Sequence, residues 1–180
     1  MAEITKESLE LLNSLLSEVS LDDVSSESQG FSELPDGYYL CEVEEAKLTT
    51  SKTSGQPMVS FRFNIVEDGT DVQYDDNEIR FVPLKKTKNR KIFKHYVLKD
   101  ATTVKRFASD MLKFEGETQD ESLLPKEAFT TSETLEDALD ILTGMRIYVL
   151  TDTTEKDDGT KSTWNNIISW KRVRELELPQ

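Results

Sequence analysis

Residues 37–48, GYYLCEVEEAKL, decide how the rest of the chain can be arranged. Tyr39, Cys41 and Val43 alternate with Tyr38, Leu40, Glu42 and Glu44, which is the two-residue period of a strand. Ala46 and Leu48 then take over the apolar role, so the phase slips by one residue near Glu44 and Glu45. An extra residue in one strand of a pair, a β-bulge, produces such a slip and bends the strand. A long first strand bent in this way can serve two sheets of a small barrel.

The next strand confirms the strand period. After a turn-rich loop at Thr49–Pro57, Met58–Val66 sets Val59, Phe61, Phe63 and Ile65 on one side and Ser60, Arg62 and Asn64 on the other. The first set is expected in the core and Arg62 on the outer face. Residues 67–78, EDGTDVQYDDNE, read as an acidic loop. Asp71, Asp75 and Asp76 lack the spacing and closing glutamate of a calcium-binding loop. Residues 80–84 and 91–98 read as strands joined by a turn at 85–90, the first near an edge because of Pro83. Asp100 is placed to cap a helix over 101–114, with Val104, Phe107, Ala108, Met111 and Leu112 on its apolar face. Residues 115–132 read as a loop, and Thr134 is placed to cap a short helix through Leu135, Ala138, Leu139 and Leu142, ended by Gly144. A strand over 145–151, a hairpin loop turning at Asp158-Gly159 and a closing strand over 162–172 complete the pattern. Trp164, Asn166, Ile168 and Trp170 share one phase of that last strand.

Toward the N-terminus, residues 1–19 read as an amphipathic helix, with Thr5 as N-cap and Leu9, Leu12, Leu16 and Val19 at helical spacing. That stripe suits either a core-facing helix or one that meets a partner or a second copy. Ser20–Gly30 is polar, acidic and serine-rich, the composition of a linker. The expected organisation is therefore 1–30 helix and linker, 31–174 folded domain and 175–180 short tail. The expected fold is mainly β: a five-stranded OB-fold-like barrel with a helix between strands 3 and 4, plus the N-terminal amphipathic helix.

Composition narrows the function. The chain has 180 residues, 36% hydrophobic and 32% charged, with a net charge of -13. One cysteine, Cys41, excludes an internal disulfide and a multi-cysteine zinc site, and one histidine, His95, removes most catalytic triads. No phosphate-binding loop, dinucleotide turn, paired zinc histidines or nucleophile elbow occurs, so neither an enzyme nor a cofactor is expected. No run is long and apolar enough for a membrane span, and no signal-peptide pattern is present, so an intracellular, membrane-free protein is expected.

The charge is segregated. Residues 80–106 hold ten Lys or Arg against the single acid Asp100, a net of +9, which leaves -22 for the remainder. Phe81, Phe93 and Tyr96 are interleaved with the basic residues. Cations meet phosphates and aromatic faces stack bases, the pairing that suits single-stranded nucleic acid. The same run also fits a solvated edge strand whose lysines block aggregation. On the first reading, phosphates follow Arg62, Arg80, Lys85, Lys86, Lys88, Arg90, Lys91 and Lys94, and bases stack on some of Phe93, Tyr96 and Trp164. On a rival reading, the acidic remainder presents a nucleic-acid-like surface to a host protein.

The opening Leu34-Pro35-Asp36-Gly37-Tyr38-Tyr39, the Thr53-Ser54-Gly55-Gln56-Pro57-Met58 loop before a hydrophobic strand, and Gly159 followed by Trp164-Asn165-Asn166-Ile167 carry a resemblance. They are similar to a family of bacteriophage single-stranded DNA-binding proteins with an OB-fold. The resemblance implies a role in phage DNA replication or recombination in the cytoplasm of the infected cell, coating single-stranded DNA. It also implies replication or recombination proteins as partners. The N-terminal helix lies outside the shared pattern and is a candidate for homo-oligomer contacts through residues 1–19.

Overall fold

A computed structural model describes residues 5–18, 34–116 and 121–178. The chain divides into two units at Leu34. In the first, α1 (Lys6–Glu18) starts where the Thr5 hydroxyl accepts from the Ser8 amide at 3.2 Å. Leu9, Leu11, Leu12, Leu15 and Leu16 are all exposed. Val19, the linker at 20–30 and the expected domain start at Phe31 lie outside the described residues.

The second unit is mainly β. Its strands are β1 (Gly37–Thr50), β2 (Pro57–Ile65), β3 (Thr70–Asp75), β4 (Glu78–Pro83), β5 (Lys91–Val97), β6 (Arg146–Glu155) and β7 (Lys161–Ile168). Its helices are α2 (Ala101–Met111), α3 (Ser132–Leu142) and α4 (Trp170–Leu176). All strand pairs are antiparallel. β1 is the hub. It pairs with β6 through its first half and with β2 from Cys41 onward, and the register slips between Val43 and Glu45. The bulge is thus where the two apolar phases of the sequence meet, and Tyr39, Cys41, Val43 and Ala46 are all buried. Val59, Phe61, Phe63 and Ile65 of β2 are fully buried against them, with Phe107 and Met111 of α2 and Leu139 and Leu142 of α3.

Three expectations are corrected. The first concerns strand number and closure. The sheet has seven strands, running β5-β2-β1-β6-β7 with the β3–β4 hairpin attached to β1 at Tyr38–Thr70, and it is open between β5 and β7. It is not a closed five-stranded barrel. Side chains bridge the seam instead. Lys94 of β5 donates to the Asn165 carbonyl, and Lys113, just after α2, donates to the Ile167 carbonyl at 2.9 Å. Asp110 of α2 accepts from Tyr96 at 2.8 Å and from Lys113 at 2.7 Å, fixing the helix beside the gap.

The second correction concerns residues 67–78, which hold most of a hairpin rather than a loop. Val72 faces Phe81 and Tyr74 faces Ile79 across it. The acids between these apolar residues hid the alternation, and the pattern becomes visible only when the two short strands are laid side by side. β4 therefore pairs with β3, not with the strand over 91–97. Pro83 does sit on the edge strand. The added hairpin also shifts the helices. α2 and α3 both fall between the fifth and sixth strands rather than one helix between the third and fourth.

The third correction is at the C-terminal end. The last strand stops at Ile168, Ser169 accepts from the Arg172 amide at 3.3 Å, and the expected strand end and tail form α4. Trp170, Val173 and Leu176 recur every three residues and, with Leu178, close a second cluster over Tyr148, Leu40 and Ile168. Residues 179–180 of the expected tail lie outside the described residues. No helix among the described residues is long and apolar enough to cross a membrane.

Candidate nucleic-acid interface

The outer face of β2 and β5 follows from alternation. With Phe61, Phe63 and Ile92 inward, Ser60, Arg62 and Asn64 point outward opposite His95, Phe93 and Lys91. Phe93 is 58% exposed and lies across from Arg62. On β7, Trp164 is also 58% exposed. Lys94 of β5 donates to the Asn165 carbonyl of β7 across the open seam, and Phe93 and Trp164 are the chain neighbours of those two residues.

The bulge places two acids beside this face. Arg62 Nε donates to Glu44 Oε2 at 2.8 Å, and its Nη2 lies 3.3 Å from Glu45 Oε2. Lys91 Nζ pairs with Glu44 and donates to Asn64 Oδ1 at 2.9 Å. Lys47 meets Glu45 at 2.9 Å. The Lys91 hydrogen bond, aided by Arg62, holds the Glu44 carboxyl below the usual range, and Lys47 does the same for Glu45. Both stay ionised throughout the neutral range.

The loop over residues 85–90 is the second part. It is held in a fixed shape from below. Thr87 is fully buried, and Gly69 N–H donates to its hydroxyl at 2.9 Å. Asp68 Oδ1 accepts from the amides of Thr87 and Lys88, each at 2.9 Å. Asn89 N–H donates to the Ile65 carbonyl at 2.8 Å, and the Arg90 carbonyl accepts from Ile65 N–H at 2.9 Å. Gly69 is required here, since a Cβ would lie 2.4 Å from the buried Tyr39 ring. Lys86 and Asn89 have φ of 60° and 68°, the left-handed turns that fold the loop back. Lys85, Lys86 and Lys88 are exposed on it, and Arg90 is half-buried at its exit.

The Asp68 clamp gives a pH-dependent expectation. The amides of Lys88 and Thr87 lower its pKa. Its contribution is therefore present above the unfolded value and lost as pH falls through the lower folded value. The amide resonances of Thr87 and Lys88 should titrate together with a midpoint below about 3.9, the ordinary Asp value. In Asp68→Asn both should lose that titration and exchange faster with solvent. Unchanged exchange would mean that the loop holds its shape without the clamp.

Not every residue singled out in the sequence reaches the outer face. Lys94 and Tyr96 share the inward phase of Ile92. The Lys94 ammonium lies 4.9 Å from the centre of the Tyr96 ring, and burial lowers its pKa. Tyr96 packs edge-on against Phe61 and Phe107 and bonds Asp110, so its ring belongs to the core wall. Arg80 is exposed on the edge strand β4, opposite Gln73 and away from the Arg62–Phe93 pair in the ladder. Arg62, Lys91 and Phe93 share one face, Lys85, Lys86, Lys88 and Arg90 share one loop, and Trp164 flanks the seam. Asp68 and Thr87 carry the loop, and a clamp between residues 19 apart leaves no local pattern in the sequence. Trp170 is engaged through its indole N–H, which donates to the Arg146 carbonyl at 3.2 Å, and its ring packs edge-on against Tyr148.

No group of three or more His, Cys, Asp or Glu among the described residues is placed to hold a metal ion. Burial pushes the Cys41 thiol up to about 12, which makes it unreactive. A family model described as "Protein of unknown function (DUF669)" matches residues 21–177, a span that takes in all seven strands and α2 to α4. No curated protein matches the chain.

Proposed function

The chain belongs to the DUF669 family of proteins of unknown function, and we propose that it binds single-stranded DNA, in phage DNA replication or recombination, with no chemistry of its own. The observation that carries this reading is two exposed rings, Phe93 on β5 opposite Arg62 and Trp164 on β7, each next in the chain to a residue of the Lys94–Asn165 hydrogen bond, with the fixed lysine loop leading into β5. Exposed aromatic rings beside cations suit stacked bases and a tracked backbone. The strand order supports it too. Setting the β3–β4 hairpin aside, β5-β2-β1-β6-β7 runs in the order of an open OB-fold, whose ligand face is that of its second and third strands, here β2 and β5. The phosphates follow Lys85, Lys86, Lys88 and Arg90. Replication or recombination proteins, and a second copy through residues 1–19, remain the proposed protein partners, in the cytoplasm of the infected host.

A second reading has one observation in its favour. The solvent side of α3 carries Glu133, Glu136, Asp137 and Asp140 beside the exposed Ile141, a surface fit for a basic protein. Titration with a poly-dT oligonucleotide separates the two. DNA binding should quench tryptophan fluorescence and weaken with salt, log affinity falling by about 0.7 per phosphate contact for each unit of log salt. Trp164→Phe should remove the quenching and Trp170→Phe should keep it, since only Trp164 is presented to a ligand. A flat titration together with flat anisotropy of a labelled oligonucleotide would leave the acidic protein-binding module as the account.

A further inference from the structure

We propose that Glu44 and Glu45 are a built-in competitor for phosphate, occupying Arg62 and Lys91 until a polyanion displaces them. Its consequence for DNA rests on the single-strand reading above; the occupancy itself rests on the backbone. In a regular strand, two consecutive residues point to opposite faces. The bulge between Val43 and Glu45 suspends that rule, and both carboxylates reach the outward guanidinium of Arg62. Glu44 spans the two cations, one oxygen on Arg62 and the other on Lys91. A carboxylate and a phosphate use the same geometry toward such donors, two oxygens accepting from N–H groups at hydrogen-bond distance.

The arrangement makes the two basic parts of the surface unequal. Lys85, Lys86 and Lys88 have no side-chain ion pair among the described residues, and they stand on a preformed loop. Arg62 is already paired with Glu44 and Glu45, and Lys91 with Glu44. A strand therefore engages the loop first. Its phosphates reach the β2–β5 face only by exchanging with the two carboxylates. The exchange subtracts from affinity, because the displaced acids stay beside the incoming phosphates. It also suppresses binding of small anions at Arg62, which cannot gain from the loop.

The test uses the full chain and its Glu44→Gln, Glu45→Gln double variant. Glutamine keeps the size and the hydrogen-bonding oxygen but removes the charge. The first probe is inorganic pyrophosphate at low salt, followed through the Arg62 Nε–Hε resonance. The double variant should show a saturable shift that the parent protein lacks. Equal responses in the two proteins would overturn the competitor. The second probe is a labelled dT oligonucleotide, for which the double variant should bind about tenfold more tightly. Its salt dependence should steepen by about 0.7 to 1.4, one or two further phosphate contacts. Weaker binding with the fold intact would show that the carboxylates hold Arg62 in its DNA-binding pose, which also overturns the competitor. A pyrophosphate response confined to the variant, with no oligonucleotide binding by either protein, would keep the competitor and sink the single-strand reading.

Discussion

Replacing Phe93 and Trp164 together by alanine is expected to remove most of the affinity for single-stranded DNA while leaving the fold in place. Both rings are more than half exposed, so neither substitution opens a cavity in the core. Each base–aromatic stack contributes roughly 1–3 kcal/mol, so losing two weakens binding by about 30-fold to about 20,000-fold. The salt slope should stay as it is, because no cation is removed. The contrast is Lys85→Ala, Lys86→Ala, Lys88→Ala, which should flatten the slope by about 2 and leave tryptophan quenching at low salt intact. Anisotropy of a labelled oligonucleotide at several salt concentrations, with circular dichroism to check the fold, reads both. A loss smaller than about threefold in the aromatic double variant would mean that no base stacks there. The sheet face would then have to be abandoned as the interface.

Phe61→Ala is expected to be the most damaging single change to stability. Phe61 is fully buried on β2, stacked on Phe63 at 5.5 Å and edge-on to Tyr96 at 5.9 Å. Tyr96 in turn meets Phe107 of α2 at 5.2 Å, and Phe107 meets Phe129 at 6.0 Å. The ring thus anchors a run of aromatic contacts that leads from the sheet to α2 and on to the segment before α3. Truncating a buried phenylalanine costs about 3–5 kcal/mol, from lost burial and the cavity left behind. That is a large part of the roughly 5–15 kcal/mol that holds a domain together. Urea unfolding should show a lower midpoint with little change in slope. Phe61→Leu should recover a good share by refilling the volume. A cost below about 1 kcal/mol for the alanine variant would mean that the layers close over the gap, and that the aromatic run contributes little. The same run explains why Tyr96, basic neighbours notwithstanding, is not offered as a base platform. Its ring is held on both sides and its hydroxyl is bonded to Asp110.

Features set by near neighbours along the chain are legible without the fold. The alternation in 58–66 placed Val59, Phe61, Phe63 and Ile65 in the core and turned Arg62 outward. The slip at Glu44–Glu45 located the bulge. Asp100 and Thr5 marked the starts of their helices, because a cap acts within one turn, whereas α3 is capped by Thr131 rather than the expected Thr134, which sits at its third position and bonds back to the cap. Other features needed partners far apart in the chain. The β3–β4 hairpin could not be recognised from 67–78, since its apolar residues are single and find each other only across the pair. The serine at 169 and the three-residue spacing of Trp170, Val173 and Leu176 do signal a helix, but the alternation running in from β7 outweighed them. Which cations are available depends on the folded arrangement. Arg62 and Lys91 are held by Glu44, Lys94 is drawn into the seam by a carbonyl 71 residues away in sequence, and the lysines of 85–88 are presented because Asp68 fixes their loop. Charge can be counted along a sequence, but whether a charge is exposed, paired or buried depends on distance in space. That distance is set only when the strands have paired.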